Sequence, residues 1–173
     1  MNLSNLVRAA LFASVAIGLG FSLVMVPNIE LITVVVFLAG LTLGAGWGIL
    51  VGGTAEFIFS ALNPLGSGLL FLPLFIAQVS SMAIIGALGG LMRPIFFKEK
   101  YGTLKIVGLI ITGFFLTLFF DSITTLSFPI SAGYDWPQTW GLYLSGIGFT
   151  ILHQISNAIV FSIGVPLVTK HLA

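Results

Sequence analysis

Residues 104–128, LKIVGLIITGFFLTLFFDSITTLSF, are almost wholly apolar and contain two charged side chains, Lys105 near the start and Asp121 towards the end. An α-helix needs about 20 apolar residues to cross the hydrocarbon core of a bilayer, within a range of about 17–25. The stretch therefore predicts a transmembrane helix with a carboxyl group inside it. Because an ionisable group in hydrocarbon costs about 2.5–3.5 kcal/mol or more, Asp121 becomes a candidate functional residue.

The rest of the chain has the same character. Of its 173 residues 58% are hydrophobic and 6% are charged, and the mean hydropathy is +1.18. A soluble domain needs a polar or charged exterior, so this composition indicates an integral membrane protein that has the lipid bilayer as a partner. The absence of cysteine excludes a thiolate metal site, and we expect no metal and no cofactor. A net charge of +1 gives no reason to expect a nucleic-acid partner.

Glycine and proline divide the chain into six predicted membrane helices within a single domain, residues 1–173. Residues 31–62 are too long for one helix, and the Gly-rich sequence of residues 43–48 predicts a break between two short ones. Proline residues at positions 27, 94, 129 and 137 indicate further boundaries. The predicted helices cover residues 6–26, 31–44, 47–62, 69–92, 104–128 and 138–168.

The placement of basic residues predicts the topology. With six helices, Arg8, the basic cluster at residues 93–105 and Lys170 all fall on one side of the membrane. The positive-inside rule makes that side cytoplasmic, whereas the opposite loops carry Glu30 and Asp135. We therefore expect an all-α, multi-pass protein with six transmembrane helices, N-in and C-in, in the plasma membrane of a prokaryote.

A stripe of small residues follows one face of the first predicted helix. Its members recur at steps of four, three and four residues and are Ala9, Ala13, Ala16 and Gly20. Small residues let a second membrane helix approach closely. The stripe is therefore either a docking face for a separate membrane subunit or a surface for packing inside this protein.

Polar side chains recur at helical spacing in several predicted helices, which favours a polar pocket open to the outer side. The alternative is hydrogen bonding between helices, worth only about 0.6 kcal/mol per pair. Glu56 and Asp121 favour the pocket, because neither has a basic partner in its own half of the membrane. The candidate ligand-binding residues are Glu30, Glu56, Asn63, Gln78, Asp121, Trp136, Trp140, Tyr143, His153 and Asn157.

The charge of the candidate pocket limits its ligand. A compound collected from outside would meet carboxylates and aromatic rings but no arginine or lysine. A phosphorylated or multiply carboxylated compound would be repelled. A neutral or cationic ring compound, stacked on Trp136 or Trp140, fits better.

Several sequence features are similar to those of one transporter family. They include Ala9-x-x-x-Ala13 in the first helix, the loop sequence PNIE at residues 27–30, GAGWG at residues 44–48 and NPLGS at residues 63–67. With six helices, the chain resembles, over essentially its whole length, the substrate-binding S components of energy-coupling factor (ECF) vitamin transporters. In that family an Ala-rich motif of the first helix docks on a transmembrane coupling subunit.

The resemblance implies a high-affinity binding subunit for uptake of a vitamin or related micronutrient. Its site would be built from outer loops one, three and five with helices four to six. The chain has no G-x-x-x-x-G-K-[ST] motif of its own. Energy would then come from a transmembrane coupling subunit and two separate ATP-binding subunits.

Two other classes of protein remain as alternatives. One is a purely structural membrane subunit. The other is a rhomboid-like intramembrane serine protease, using Ser67 and His153 as nucleophile and base. The sequence Leu65-Gly66-Ser67-Gly68 lacks the first glycine of the rhomboid Gly-x-Ser-Gly motif, and His153 would lie about 20 Å below the outer end of its helix. We therefore expect that the protein is not an enzyme.

Overall fold

The computed structural model describes residues 3–98 and 100–172. Within these residues the fold is all-helical, with no strand, which confirms the predicted all-α class. A short 3₁₀ turn at Gly68–Leu70 precedes the fourth helix. The α-helices are α1 (Leu3–Leu23), α2 (Ile32–Leu43), α3 (Ala45–Ala61), α4 (Leu72–Leu91), α5 (Arg93–Phe96), α6 (Thr103–Ser131), α7 (Trp136–Ser145) and α8 (Ile147–Thr169).

Four of these helices are long and apolar enough to cross a membrane, namely α1, α4, α6 and α8, with 21, 20, 29 and 23 residues. Helices α2 and α3 are also apolar but shorter, with 12 and 17 residues. Large apolar side chains such as Leu11, Phe115 and Ile163 face outward and are more than half exposed. This exterior is compatible with a membrane protein.

The helix boundaries differ from those predicted by one to three residues, and one predicted helix is divided in two. Helix α6 continues past Pro129 to Ser131, because a proline in the last turn removes only one helical hydrogen bond. The predicted helix at 138–168 is divided at Gly146 into α7 and α8, since glycine is about 1 kcal/mol less favourable than alanine inside a helix. Helix α7 begins before Pro137, with Asp135 and Gln138 forming a capping box.

The chain reverses direction at Gly44, between α2 and α3. Gly44 has a φ of 100°, in the left-handed region that favours glycine. A Cβ atom at Gly48 would lie 2.8 Å from the Cα atom of Gly40. Residues eight apart on one continuous helix are separated by about 12 Å, so α2 and α3 form a tight helical hairpin.

Helix α2 occupies the centre of the bundle. Its residues from Ile32 to Leu41 are all buried, and α1, α3, α4 and α8 pack around it. The rings of Phe37 and Phe161, 5.1 Å apart, join α2 to α8. Helices α3 and α4 pack through Gly48 and Gly86, where the backbones are in direct contact.

The stripe of small residues on α1 lies inside this bundle. Its four members, Ala9, Ala13, Ala16 and Gly20, are the buried residues of α1, and α2 and α3 pack against this helix. A Cβ atom at Gly20 would lie 2.6 Å from Cδ1 of Ile32. The expected docking face is therefore not a free surface here, because close packing within the chain already uses it.

The two ends of the bundle differ in charge. We call one the basic end, where Arg8, Arg93 and His171 surround one cavity. We call the other the acidic end, where Glu30 and Asn63 line another cavity. Both described chain termini therefore lie at the basic end.

Candidate functional site

Four of the predicted ligand-binding residues meet near the acidic end, and we call them the polar cluster: Glu30, Asp121, His153 and Asn157. The Nδ1 atom of His153 lies 2.9 Å from Oδ1 of Asp121. The Nε2 atom of His153 lies 3.6 Å from Oε1 of Glu30, to which Nδ2 of Asn157 donates a hydrogen bond of 2.8 Å. The cluster thus links α6, α8 and the loop before α2.

Local structure fixes each member of the polar cluster. Oε2 of Glu30 accepts a 2.9 Å hydrogen bond from the backbone N–H of Thr33, which caps the first turn of α2. His153 and Asn157 are four residues apart and therefore share one face of α8. Asp121 is presented by α6, which packs along α8.

The break at Gly146 places His153 closer to the end of its helix than the sequence predicted. Helix α8 begins at Ile147, so His153 lies six residues, or about 9 Å, along it. The expected depth of about 20 Å assumed one unbroken helix.

Glu30 is held as a carboxylate. Burial raises the pKa of the Glu30 carboxyl, but the attraction of the nearby His153 ring and the hydrogen bond from the N–H of Thr33 lower it by more. The net pKa lies below the usual value for glutamate. Glu30 therefore contributes a negative charge to the cluster at neutral pH.

Three buried side-chain atoms of the cluster have no hydrogen-bond partner among the described residues. They are Oδ2 of Asp121, Nε2 of His153 and Oδ1 of Asn157. A buried polar atom without a partner costs about 1–3 kcal/mol. Three such atoms in one cluster indicate hydrogen-bonding capacity that a small polar molecule could use.

A cavity of about 230 Å³ adjoins the polar cluster at the acidic end, with Glu30 and His153 in its lining. It is smaller than the range of about 300–1,000 Å³ common for drug-sized ligands. The loops that border it contain Asn28, with a φ of 59°, and Leu65, next to Gly66 with a φ of 150°. A ring compound would need these loops to move outward. The lining is Gly20, Leu23, Val24, Val26, Pro27, Asn28, Ile29, Glu30, Phe59, Asn63, Leu65 and His153.

Glu56 adds a third carboxyl group to this region. Its side chain on α3 is buried, with 2% exposed, and lies close enough to Glu30 for electrostatic repulsion between them. No lysine or arginine lines the cavity within the described part of the chain. Carboxyl groups therefore outnumber basic groups here, as the sequence indicated. Residues 3–98 and 100–172 contain no group of three His, Cys, Asp or Glu side chains that could hold a metal ion.

The predicted aromatic residues form a separate row on α7. The rings of Trp136 and Trp140 stack at 5.9 Å, and Trp140 contacts Tyr143 at 5.7 Å. The hydroxyl groups of Tyr143 and Ser122 lie 2.8 Å apart. None of the three rings lines the cavity beside the polar cluster, so the structure does not bring them together with the carboxylates. Ser122 was not predicted as a site residue. Successive residues of a helix lie about 100° apart around its axis, so Ser122 and Asp121 lie on different faces of α6.

Two other candidate side chains have structural contacts. Oδ1 of Asn63 accepts a 2.9 Å hydrogen bond from the N–H of Leu65 and so shapes the loop beside the cavity. Oε1 of Gln78 accepts a 2.6 Å hydrogen bond from Ser60, which joins α4 to α3. The structure thus places Gln78 in a helix–helix contact.

The contacts of Gln78 allow a test with a matched control. Ser60→Ala should lower the free energy of unfolding by about 1 kcal/mol, because it removes a buried hydrogen bond. Ser81→Ala should leave it unchanged or raise it, because the buried Oγ of Ser81 has no partner among the described residues. Thermal unfolding in detergent measures both. Equal losses in the two variants would contradict this assignment.

The proposed nucleophile Ser67 has different partners. Its Oγ atom donates to the carbonyl oxygen of Ala61 at 2.7 Å and accepts from the N–H of Leu69 at 3.3 Å. His153 instead contacts Asp121 and Glu30. Among the described hydrogen bonds none joins Ser67 to His153, so this geometry gives no support to a serine–histidine dyad.

Comparison with known proteins gives no relative. No protein family model matches the chain, and no curated protein or solved structure is significantly similar to it. The function must therefore be inferred from the chain's own residues and their geometry.

Proposed function

We propose that the protein is a membrane-embedded binding subunit for a small ring-containing compound, neutral or cationic, of the vitamin or micronutrient class. The observation that carries this proposal is the polar cluster, in which three buried side-chain atoms lack partners beside a cavity at the acidic end. Glu30 and His153, which line the cavity, would contact the compound, and Asp121 and Asn157 would hold these two side chains in position. The excess of carboxyl groups would attract a positive charge.

The proposed setting is a plasma membrane, crossed six times, with the basic end in the cytoplasm. The separation of Arg8, Arg93 and His171 from Glu30 supports this orientation through the positive-inside rule. The cavity beside the polar cluster would then face outward and collect its ligand from outside the cell.

The same proposal includes partners that supply energy. An S component of an ECF-type transporter would work with a transmembrane coupling subunit and two ATP-binding subunits. The support is the sequence resemblance described above. Since the small-residue stripe of α1 is buried, the face that would contact a coupling subunit is unassigned.

Native mass spectrometry of the protein purified without added ligand tests the proposal. Wild-type protein should retain a small-molecule adduct, and Asp121→Asn should weaken its binding at least tenfold, or about 1.4 kcal/mol. Glu56→Gln should weaken binding to a similar extent by removing a neighbouring carboxyl group. Asp135→Asn is the matched control, because Asp135 caps α7 outside the cavity and asparagine is also a good N-cap.

Two results would contradict the proposal. One is a wild-type protein with no adduct whose melting temperature is unchanged by any of a panel of neutral and cationic ring compounds. The other is binding that is as strong in Asp121→Asn and Glu56→Gln as in the control.

A further inference from the structure

The basic end of the bundle contains a cavity of about 550 Å³, larger than the one beside the polar cluster. Its basic side chains come from three parts of the chain: Arg8 on α1, Arg93 on α5 and His171 after the end of α8. The remaining lining is mostly apolar. It consists of Phe12, Leu43, Phe97 and Leu172, with Thr42.

The cationic groups of this cavity are not neutralised by the described structure. Within residues 3–98 and 100–172 no salt bridge involves Arg8 or Arg93, and no aspartate or glutamate lines the cavity. The guanidinium of Arg93 lies 4.9 Å from the ring centre of Phe97. This cation–π contact holds the guanidinium of Arg93 between the basic and the apolar side chains that line the cavity. Among residues 3–98 and 100–172, no acidic side chain matches the positive charge of the cavity.

The chemistry of the lining selects a class of ligand. Arginine is well suited to phosphate, because its planar guanidinium donates two parallel hydrogen bonds. A phosphate-bearing anion can come from a phospholipid headgroup or from solution. The apolar side chains favour the phospholipid, because they offer a surface for an acyl chain next to the charge. Basic pockets between membrane helices commonly hold anionic headgroups.

We propose that the cavity between Arg8, Arg93 and His171 binds a phosphate-bearing anion, the headgroup of an anionic phospholipid being the favoured source. The arginine side chains contact the phosphate, and Phe12 and Leu43 contact the first part of an acyl chain. A bound lipid then joins the start of α1, the segment after α4 and the end of the chain. This site lies at the opposite end of the bundle from the polar cluster and is independent of the function proposed there.

The test compares two double variants of the full chain that lose the same charge at the same end. Arg8→Gln with Arg93→Gln removes the arginine lining, whereas Lys100→Gln with Lys105→Gln removes two positive charges outside the cavity. Native mass spectrometry measures retention of palmitoyl-oleoyl phosphatidylglycerol against phosphatidylcholine with the same chains. Thermal unfolding with added lipid or with millimolar inorganic phosphate is the second readout.

The wild type should bind phosphatidylglycerol at least tenfold more tightly than phosphatidylcholine. The arginine variant should lose this preference, and the lysine variant should keep it. If inorganic phosphate stabilises the wild type and the lysine variant, but not the arginine variant, the same anion site is supported with free phosphate as its source. The proposal is overturned if neither phosphatidylglycerol nor phosphate is preferred, or if both double variants lose the preference equally.

Discussion

Gly48→Ala should leave little folded protein, whereas Gly46→Ala, on the same helix, should be tolerated. A Cβ atom at Gly48 would overlap the carbonyl oxygen of Gly86, and one at Gly86 would overlap that of Gly48. Both obstacles are backbone atoms, which no side-chain rotation can remove. Helices α3 and α4 would have to separate. The expected loss of stability is about 3 kcal/mol, near the upper end of the range for overpacked cores.

Gly46 provides the control because a Cβ atom there would meet nothing within 4 Å. Alanine is favoured over glycine in a helix by about 1 kcal/mol, so Gly46→Ala should match or exceed the wild type in stability. Size-exclusion chromatography after heating in detergent measures both variants. A Gly48→Ala protein that melts with the wild type would show that α3 and α4 do not pack through these glycines.

His153→Leu should produce the second large loss of stability, about 3 kcal/mol, the lower end of the range for removing one partner of a buried ion pair, because the side chains of this cluster are partly buried. The substitution keeps a side chain of similar bulk but leaves Asp121 and Glu30 without the imidazole that lies between them. Two partly buried carboxyl groups then lie near each other without the imidazole ring that separated them. The free energy of unfolding in a denaturant titration measures the loss.

A second substitution separates electrostatics from packing. Adding Asp121→Leu to His153→Leu removes one of the carboxyl groups left unpaired, and replacing both members of a buried ion pair with apolar residues is often nearly neutral. The double variant should therefore be more stable than His153→Leu alone. Further loss in the double variant would mean that the cluster does not depend on the charge pairing described here.

Helical spacing alone predicted part of the polar cluster. Asp121 stood out as a carboxyl group in an apolar stretch, and His153 and Asn157 share a helix face because they are four residues apart. Asp121 and Asn157 were both possible partners for His153, and the sequence does not decide between them, since the contact depends on how α6 and α8 are rotated against each other. Neither residue's sequence neighbourhood contains that information.

Glu30 shows why the remaining contacts of the polar cluster could not be predicted from the sequence. It was a candidate because of its loop position, but its contacts with His153 and Asn157 depend on how that loop packs against α8. The break between α7 and α8 at Gly146 was also hard to predict, because a single glycine does not normally end an apolar helix. The hairpin at Gly44 was predictable, because several glycine residues occur together at residues 44–48.

The small residues of α1 illustrate a different limit. Close packing inside one protein and close packing between two proteins both require small side chains, so the pattern of Ala9 and Ala13 is the same for either. Only the arrangement of α1, α2 and α3 distinguishes them, and it places both alanine residues in the interior.

The central position of α2 has a consequence for how the protein would fit a bilayer. Its 12 residues give a length of about 18 Å, about 12 Å less than a typical hydrocarbon core of about 30 Å. A lipid-exposed helix this short would force the bilayer to thin, but α2 is enclosed by α1, α3, α4 and α8. We expect the missing length to leave an inlet beside the loop that carries Glu30, where the structure has a cavity. The depth of that inlet would then be set by a helix that lipid does not touch, whatever the thickness of the membrane around it.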